Sequence, residues 1–167
     1  SATDSPFQVT GNVTVATSTT LTIEAGVTVK FDNGKALDVN GTLVAQGTSS
    51  SKITFTSSAV SPAAGDWKFI RFNSSSTSAT FDGSGNYLSG SILQYCTVEY
   101  AGAGAVPAIN SLYVSPFVDH CTIQHNESRG LYVWIPPAGV TIRITNNIFN
   151  DNTGAMYVRA SAGSNLA

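Results

Sequence analysis

Three stretches in the second half of the chain repeat one another. They are Leu93-Gln-Tyr-Cys-Thr-Val98, Val118-Asp-His-Cys-Thr-Ile123 and Ile144-Thr-Asn-Asn-Ile-Phe149, separated by 25 and then 26 residues. The last two are followed by Asn126 or Asn152, then by Gly130-Leu-Tyr-Val133 or Ala155-Met-Tyr-Val158. The first half carries a similar period: Val13/Val15 map onto Leu37/Val39 and Val29/Phe31 onto Ile53/Phe55 at 24, while Leu21 maps onto Leu43 and Phe7/Val9 onto Val29/Phe31 at 22. Within each period apolar residues alternate with polar ones, as in Val27-Thr-Val-Lys-Phe31, so the units are short strands with one buried face. Gly26, Asn33-Gly34, Asn40-Gly41 and Gly47 punctuate them where the chain must turn.

A period of 22 to 26 residues holding three strands has one economical solution. Each period is a winding of a solenoid, and successive windings pair in parallel about 4.8 Å apart with equivalent apolar residues stacked inside. The expected fold is all-β: a single-domain right-handed parallel β-helix over residues 1–167, with five windings, the first strand of a sixth, and a length of roughly 25 Å. Two Ser/Gly/Ala-rich stretches, about 57–66 and 73–90, read as loops inserted at winding corners. A 16-residue spacing through Leu21, Leu37 and Ile53 fits the first half but does not continue through residues 93–158.

The pattern resembles the pectate-lyase-like superfamily of parallel β-helices. Val118-Asp-His-Cys-Thr-Ile-Gln-His-Asn126 with Gly130, and Ile144-Thr-Asn-Asn-Ile-Phe-Asn-Asp-Asn152, carry the likeness. Leu21-Thr-Ile-Glu-Ala-Gly-Val-Thr-Val-Lys-Phe31, Gly41-Thr-Leu-Val-Ala-Gln-Gly47 and Gly65-Asp-Trp-Lys-Phe-Ile-Arg-Phe72 resemble N-terminal windings of secreted bacterial and archaeal surface proteins of a non-catalytic kind. These residues are core and corner positions, so the likeness speaks for fold and hardly for activity.

Composition narrows the partners. A net charge of −2 leaves no basic footprint for nucleic acid, and no apolar run approaches the eighteen or so residues of a membrane-inserted helix. The 42% hydrophobic content excludes a disordered polar tract. Abundant Ser and Thr, few Lys and Glu, and a processed-looking start at Ser-Ala-Thr-Asp-Ser give the expectation of a secreted, extracellular or cell-surface protein. Sequons begin at Asn12, Asn40, Asn73 and Asn126, each a candidate for N-glycosylation.

Candidate chemistry is sparse. Cys96 and Cys121 fall in one inward column and read as free thiols acting as small hydrophobes, because in-register parallel side chains do not converge as a disulfide requires. Asn147 comes next in that column and needs a hydrogen-bond partner. His120 at a corner and His125 pointing outward cannot join Cys121 on zinc, so no metal and no cofactor is expected. The likeness to pectate lyases implies clustered Asp for calcium and an Arg base, and that to polygalacturonases implies grouped Asp. On the matching outer face stand Asp38, Arg71, Tyr132, Trp134, Tyr157 and Arg159, with one carboxylate where glycoside hydrolysis needs two about 5–9.5 Å apart. No catalytic residue is assigned. Tyr132, Trp134 and Tyr157 beside Arg159 form a candidate ligand-binding strip for sugar rings, or a protein contact, or a self-covering structural face; the register of Tyr113 is ambiguous. The outward Thr residues Thr14, Thr22, Thr28, Thr54, Thr97 and Thr122 are expected on different faces, in columns interrupted by other residues, which speaks against an ice-binding surface.

Neither end of the stack looks sealed, since Pro6-Phe-Gln-Val-Thr10 is strand-like and Met156-Tyr-Val-Arg159 opens a further winding, so the expectation is either that the chain continues in the native protein or that another subunit covers each end. The expected function is a non-catalytic extracellular structural or adhesive β-helix that stacks head to tail into a filament or surface layer, its partner being itself or other surface proteins. The alternative is a carbohydrate-binding module, or a remnant lyase-like domain, of a larger surface protein, with polysaccharide as partner.

Overall fold

The computed structural model describes residues 2–166 and shows a right-handed parallel β-solenoid of about six windings. Each winding contributes one strand to each of three parallel sheets. The first sheet stacks Phe7–Val9, Thr28–Phe31, Ile53–Ser57, Cys96–Glu99, Thr122–Gln124 and Ile148–Asn150. The second stacks Val13–Val15, Leu37–Val39, Ile70–Phe72, Ile109–Leu112, Arg129–Trp134 and Gly154–Arg159. The third has five strands, Thr20–Ile23, Thr42–Gln46, Ile92–Gln94, Phe117–Asp119 and Ile144–Thr145. The sixth winding, where one strand was expected, holds Ile148–Asn150 and Gly154–Arg159 of these sheets and also Asn165–Leu166, which pairs in parallel with Thr141–Ile142.

The period-2 alternation becomes columns. Phe7, Val29, Phe55, Val98, Ile123 and Phe149 lie over one another in the first sheet. Val13, Leu37, Ile70, Ile109, Leu131 and Met156 do so in the second. Single non-glycine residues in left-handed conformation make the tight corners. Tyr95, His120 and Asn146 (φ 49°, 51° and 57°) turn the chain from the third sheet to the first, and Tyr100, His125 and Asp151 (φ 62°, 54° and 48°) turn it toward the second.

Three expectations need correction. Val29 lies over Phe55 and Phe31 over Ser57, an offset of 26 rather than 24. The offset grows from 22 in the third sheet to 26 in the first across the wide turn at Thr48–Ser51, which is closed by hydrogen bonds between those residues. Opposite Ser57 the core is filled from the 57–66 insertion: Trp67 stacks on Phe31 with ring centroids 4.1 Å apart and donates from Nε1 to Glu99 O at 2.8 Å. Second, the 73–90 stretch contains an antiparallel hairpin, Thr80–Phe81 with Tyr87–Ser89. Its Phe81 and Tyr87 rings pack on Phe117 at 5.3 and 6.2 Å, so it covers the outer side of the third sheet. Third, Thr28, Thr54, Thr97 and Thr122 form one uninterrupted outward column on the first sheet, because the offset of 26 brings Thr28 onto Thr54. Its neighbouring outward column runs Lys30, Thr56, Glu99, Gln124, so the hydroxyls stand as a single file beside charged and amide groups.

Candidate functional site

The outer face of the second sheet holds the residues singled out from sequence, and the structure brings them together. One column runs Asp38, Arg71, Asn110, Tyr132, Tyr157, and the next runs Leu112, Trp134, Arg159. Tyr132 lies 5.2 Å from Tyr157 and 5.7 Å from Trp134, with ring planes 15° and 9° apart. The Arg159 guanidinium sits 4.6 Å from the Trp134 ring centre and that of Arg129 5.9 Å from Tyr157. The rings thus turn their faces toward one another and toward arginines, leaving Tyr132 and Trp134 half-buried. A sugar ring stacks on an open aromatic face, and here neighbouring rings and arginines stand against the ring faces, while Tyr157 is exposed. Sequence reasoning missed Asn110 and Leu112 on this face. Their segment reverses the usual polarity, with Ser111 inside bonding Val114 O at 2.7 Å and Leu112 outside. Tyr113 is exposed and has no place in the ring stack.

The carboxylates nearest the chemistry are fastened to neighbouring windings. Asp119 is buried and receives Nε2 of Gln94 at 2.9 Å, Oγ1 of Thr145 at 2.7 Å and Nδ2 of Asn146 at 3.1 Å, with Nδ1 of His120 at 2.8 Å. Burial pushes its carboxyl up, but these four contacts together outweigh burial and hold it below the usual value. Glu99 accepts from Thr56 and Gln124, and Asp66 accepts from Ser57 and the Ala63 amide. Among the described residues Asp38 is the one carboxylate in the outward columns of the second sheet. Among the described residues no group of three or more His, Cys, Asp or Glu is placed to hold a metal ion.

The thiols and amides occupy the interior column expected of them. Cys96 lies over Ile53, and both cysteines are buried and free. Burial, with the neighbouring Cys121, pushes the Cys96 thiol well above its ordinary value, so it is an inert thiol. Asn147 continues the column and finds its partners there: Oδ1 accepts from the Cys121 amide and Nδ2 donates to Val118 O. Asn126 departs from its sequon reading. It is 2% exposed, its Oδ1 accepts from the Ala101 amide, and its Nδ2 donates to Val98 O and to Oδ1 of Asn152. A glycan has neither room nor a free amide there in the folded chain. Asn73 donates to Asn40 at 3.0 Å, and both are half-buried, whereas Asn12 is exposed.

These features are those of a β-helix whose polar ladders tie winding to winding. A family model described as a pectate-lyase-like beta helix domain matches residues 2–117. Nothing among curated proteins or solved structures matches the chain. On that match, and on the three-sheet winding that runs through the matched residues and past them, the chain belongs to the pectate-lyase-like beta helix family.

Proposed function

We propose that the protein is a non-catalytic structural or adhesive element outside the cell, acting by head-to-tail stacking of its windings on those of a second copy. The observation that carries this reading is the chemistry of the first and last described windings. At one end the bore opens as an apolar cavity of about 280 Å³ lined by Phe7, Val9, Val13, Leu21, Ile23 and Val27, among others. At the other, Ile148 and Met156 are 61% and 46% exposed, beside half-buried Phe149 and Val158.

Every inner boundary between windings is already a parallel interface of the same columns, so what joins windings within a chain can join them between chains. Seated in register, Phe149 of one copy would continue the column that begins at Phe7 of the next. The non-catalytic reading is supported by the lone Asp38 on the second-sheet face and by the fastening of Asp119, Glu99 and Asp66. The extracellular reading is supported by the hydroxyl-rich, Lys-poor composition.

The test is assembly. Light scattering over a concentration series should show masses above that of the 17.4 kDa chain, and electron micrographs of the same sample should show fibres. Met156→Lys places a charge in the stacking surface and should return the sample to single particles without loss of β-sheet signal. A monodisperse monomer at high concentration would refute the stacking.

A further inference from the structure

Two phenols on the outer face of the second sheet stand close enough to react with each other. Tyr132 and Tyr157 are paired in the register of the fifth and sixth windings, with ring centres 5.2 Å apart and planes 15° from parallel. Trp134 flanks both, 5.7 Å from Tyr132 and 6.4 Å from Tyr157. Tyr157 is 40% exposed and Tyr132 half-buried, so oxidants in solution reach the pair.

Among the described residues no other two tyrosine rings meet. Tyr95 and Tyr100 stack on His120 and His125, and Tyr87 packs on Phe117. Tyr113 is exposed and stands outside the stack. The six tyrosines of the chain therefore offer one place where two phenols are neighbours.

The surroundings decide which ring holds an electron deficit. A tryptophan passes through a radical cation, and the Arg159 guanidinium 4.6 Å from the Trp134 ring centre opposes a second positive charge there. A tyrosine that releases its hydroxyl proton to water becomes a neutral radical, so Arg129, 5.9 Å from the Tyr157 ring, does not oppose it. The deficit comes to rest on the tyrosines.

We infer that Tyr132 and Tyr157 are a site of oxidative coupling, at which one-electron oxidants generated from a peroxide join the two rings and lock the sixth winding to the fifth. Each phenol gives up one electron and its hydroxyl proton. The two radicals form a carbon–carbon bond between positions ortho to the oxygens. Each of these carbons then loses its proton and each oxygen regains one, which restores both phenols. The chain loses two hydrogen atoms in all, and one hydrogen peroxide is reduced to two molecules of water. In-register cysteines do not converge because their side chains are short, whereas the ortho carbons lie at the far end of a ring that swings about two bonds. Within one chain the sixth winding has a neighbour on one side only, so a link there holds the winding most ready to open. Closing residues 132–157 into a loop also removes freedom from the unfolded chain, as a disulfide does.

The test is oxidation with hydrogen peroxide and a haem peroxidase, read by mass spectrometry after separation under denaturing conditions and by urea unfolding. Denaturation parts any stacked copies, so the product within one chain is read whether or not copies assemble. Single chains should lose two hydrogen atoms, gain dityrosine fluorescence and yield one cross-linked peptide pair holding Tyr132 and Tyr157. Tyr132→Phe and Tyr157→Phe keep both rings in the stack, and each should abolish the fluorescence of single chains; Tyr113→Phe should leave it unchanged. The urea midpoint should rise on oxidation of the unaltered protein and stay put for Tyr157→Phe. Single chains of unchanged mass, oxygen added at Trp134 in place of coupling, fluorescence that survives Tyr157→Phe, or an unchanged midpoint in the coupled protein would each overturn the inference.

Discussion

Asn126 offers a sharp test of how the windings are fastened. Its side chain serves three partners, the Ala101 amide at 2.8 Å, Val98 O at 3.2 Å and Asn152 Oδ1 at 2.8 Å. Ala101 and Val98 are fully buried. Truncation to alanine leaves one backbone donor and one backbone acceptor without partners in a place that water does not reach. Each orphaned group costs about 1–3 kcal/mol, so Asn126→Ala should cost about 2–6 kcal/mol. That is a large part of the roughly 5–15 kcal/mol by which a typical domain is stable. Asn126→Asp preserves the acceptor for Ala101 but turns an oxygen toward Val98 O and Asn152 Oδ1, so it should be no better than alanine. Asn150→Ala is the control: Asn150 is exposed and donates only to Asp151, and the loss should stay within about 0.5 kcal/mol. Urea unfolding followed by far-ultraviolet circular dichroism measures all three, with an unchanged slope confirming that the same surface unfolds. If Asn126→Ala is as mild as Asn150→Ala, the ladder is not what holds these windings and the argument fails.

Acid should weaken the fold through Asp119. Its carboxyl is held below the ordinary value in the folded chain, so its stabilisation is complete above about pH 4 and is lost as pH falls through the folded value. Asp119→Asn should flatten the acid limb of a stability–pH curve, and an unchanged limb would remove Asp119 from the account. Gly130→Ala would set a Cβ 2.8 Å from Ile123 Cγ2, 2.9 Å from Phe149 Cδ1 and 3.0 Å from Ala155 O. Such overpacking should cost about 1–3 kcal/mol in the same urea assay, against almost nothing for Gly11→Ala, which meets no atom within 4 Å. Expressed through a eukaryotic secretory pathway, the chain should carry glycan at Asn12 and none at Asn126; a glycopeptide spanning Asn126 would contradict the burial described here.

The columns of the second half were legible because their corners are single residues. Tyr95, His120 and Asn146 turn the chain without adding length, so 25 and 26 residues separate equivalent positions with no ambiguity. The first half misled at one corner, since the turn at Thr48–Ser51 lengthens it by four residues where the expected register allowed two, and a shift of two leaves the inward and outward pattern unchanged. The same shift hid the Thr28–Thr54–Thr97–Thr122 file. Asn126 and Asn147 could be placed in repeat columns, yet only the backbone groups they meet show that Asn126 is a ladder amide and not a glycan acceptor. The hairpin was invisible because its strands are two and three residues long and its apolar residues, Phe81 and Tyr87, pack outside the solenoid.

Both long insertions leave the same winding, on either side of Ile70–Phe72, and the column there is undisturbed: Ile70 still lies between Leu37 and Ile109. A solenoid tolerates length at its corners because each winding contacts only its neighbours, and the pairing is restored as soon as the chain re-enters the stack. Inserted residues are therefore free of the column pattern, and they carry what is individual in this chain. One insertion delivers Trp67 into the core against Phe31; the other delivers a hairpin that covers Phe117. The repeated residues, by contrast, are occupied in fastening, as Asp119, Asn126 and Asn147 show. Any specific recognition is accordingly to be sought where the period is broken, and the stacking proposed above where it continues.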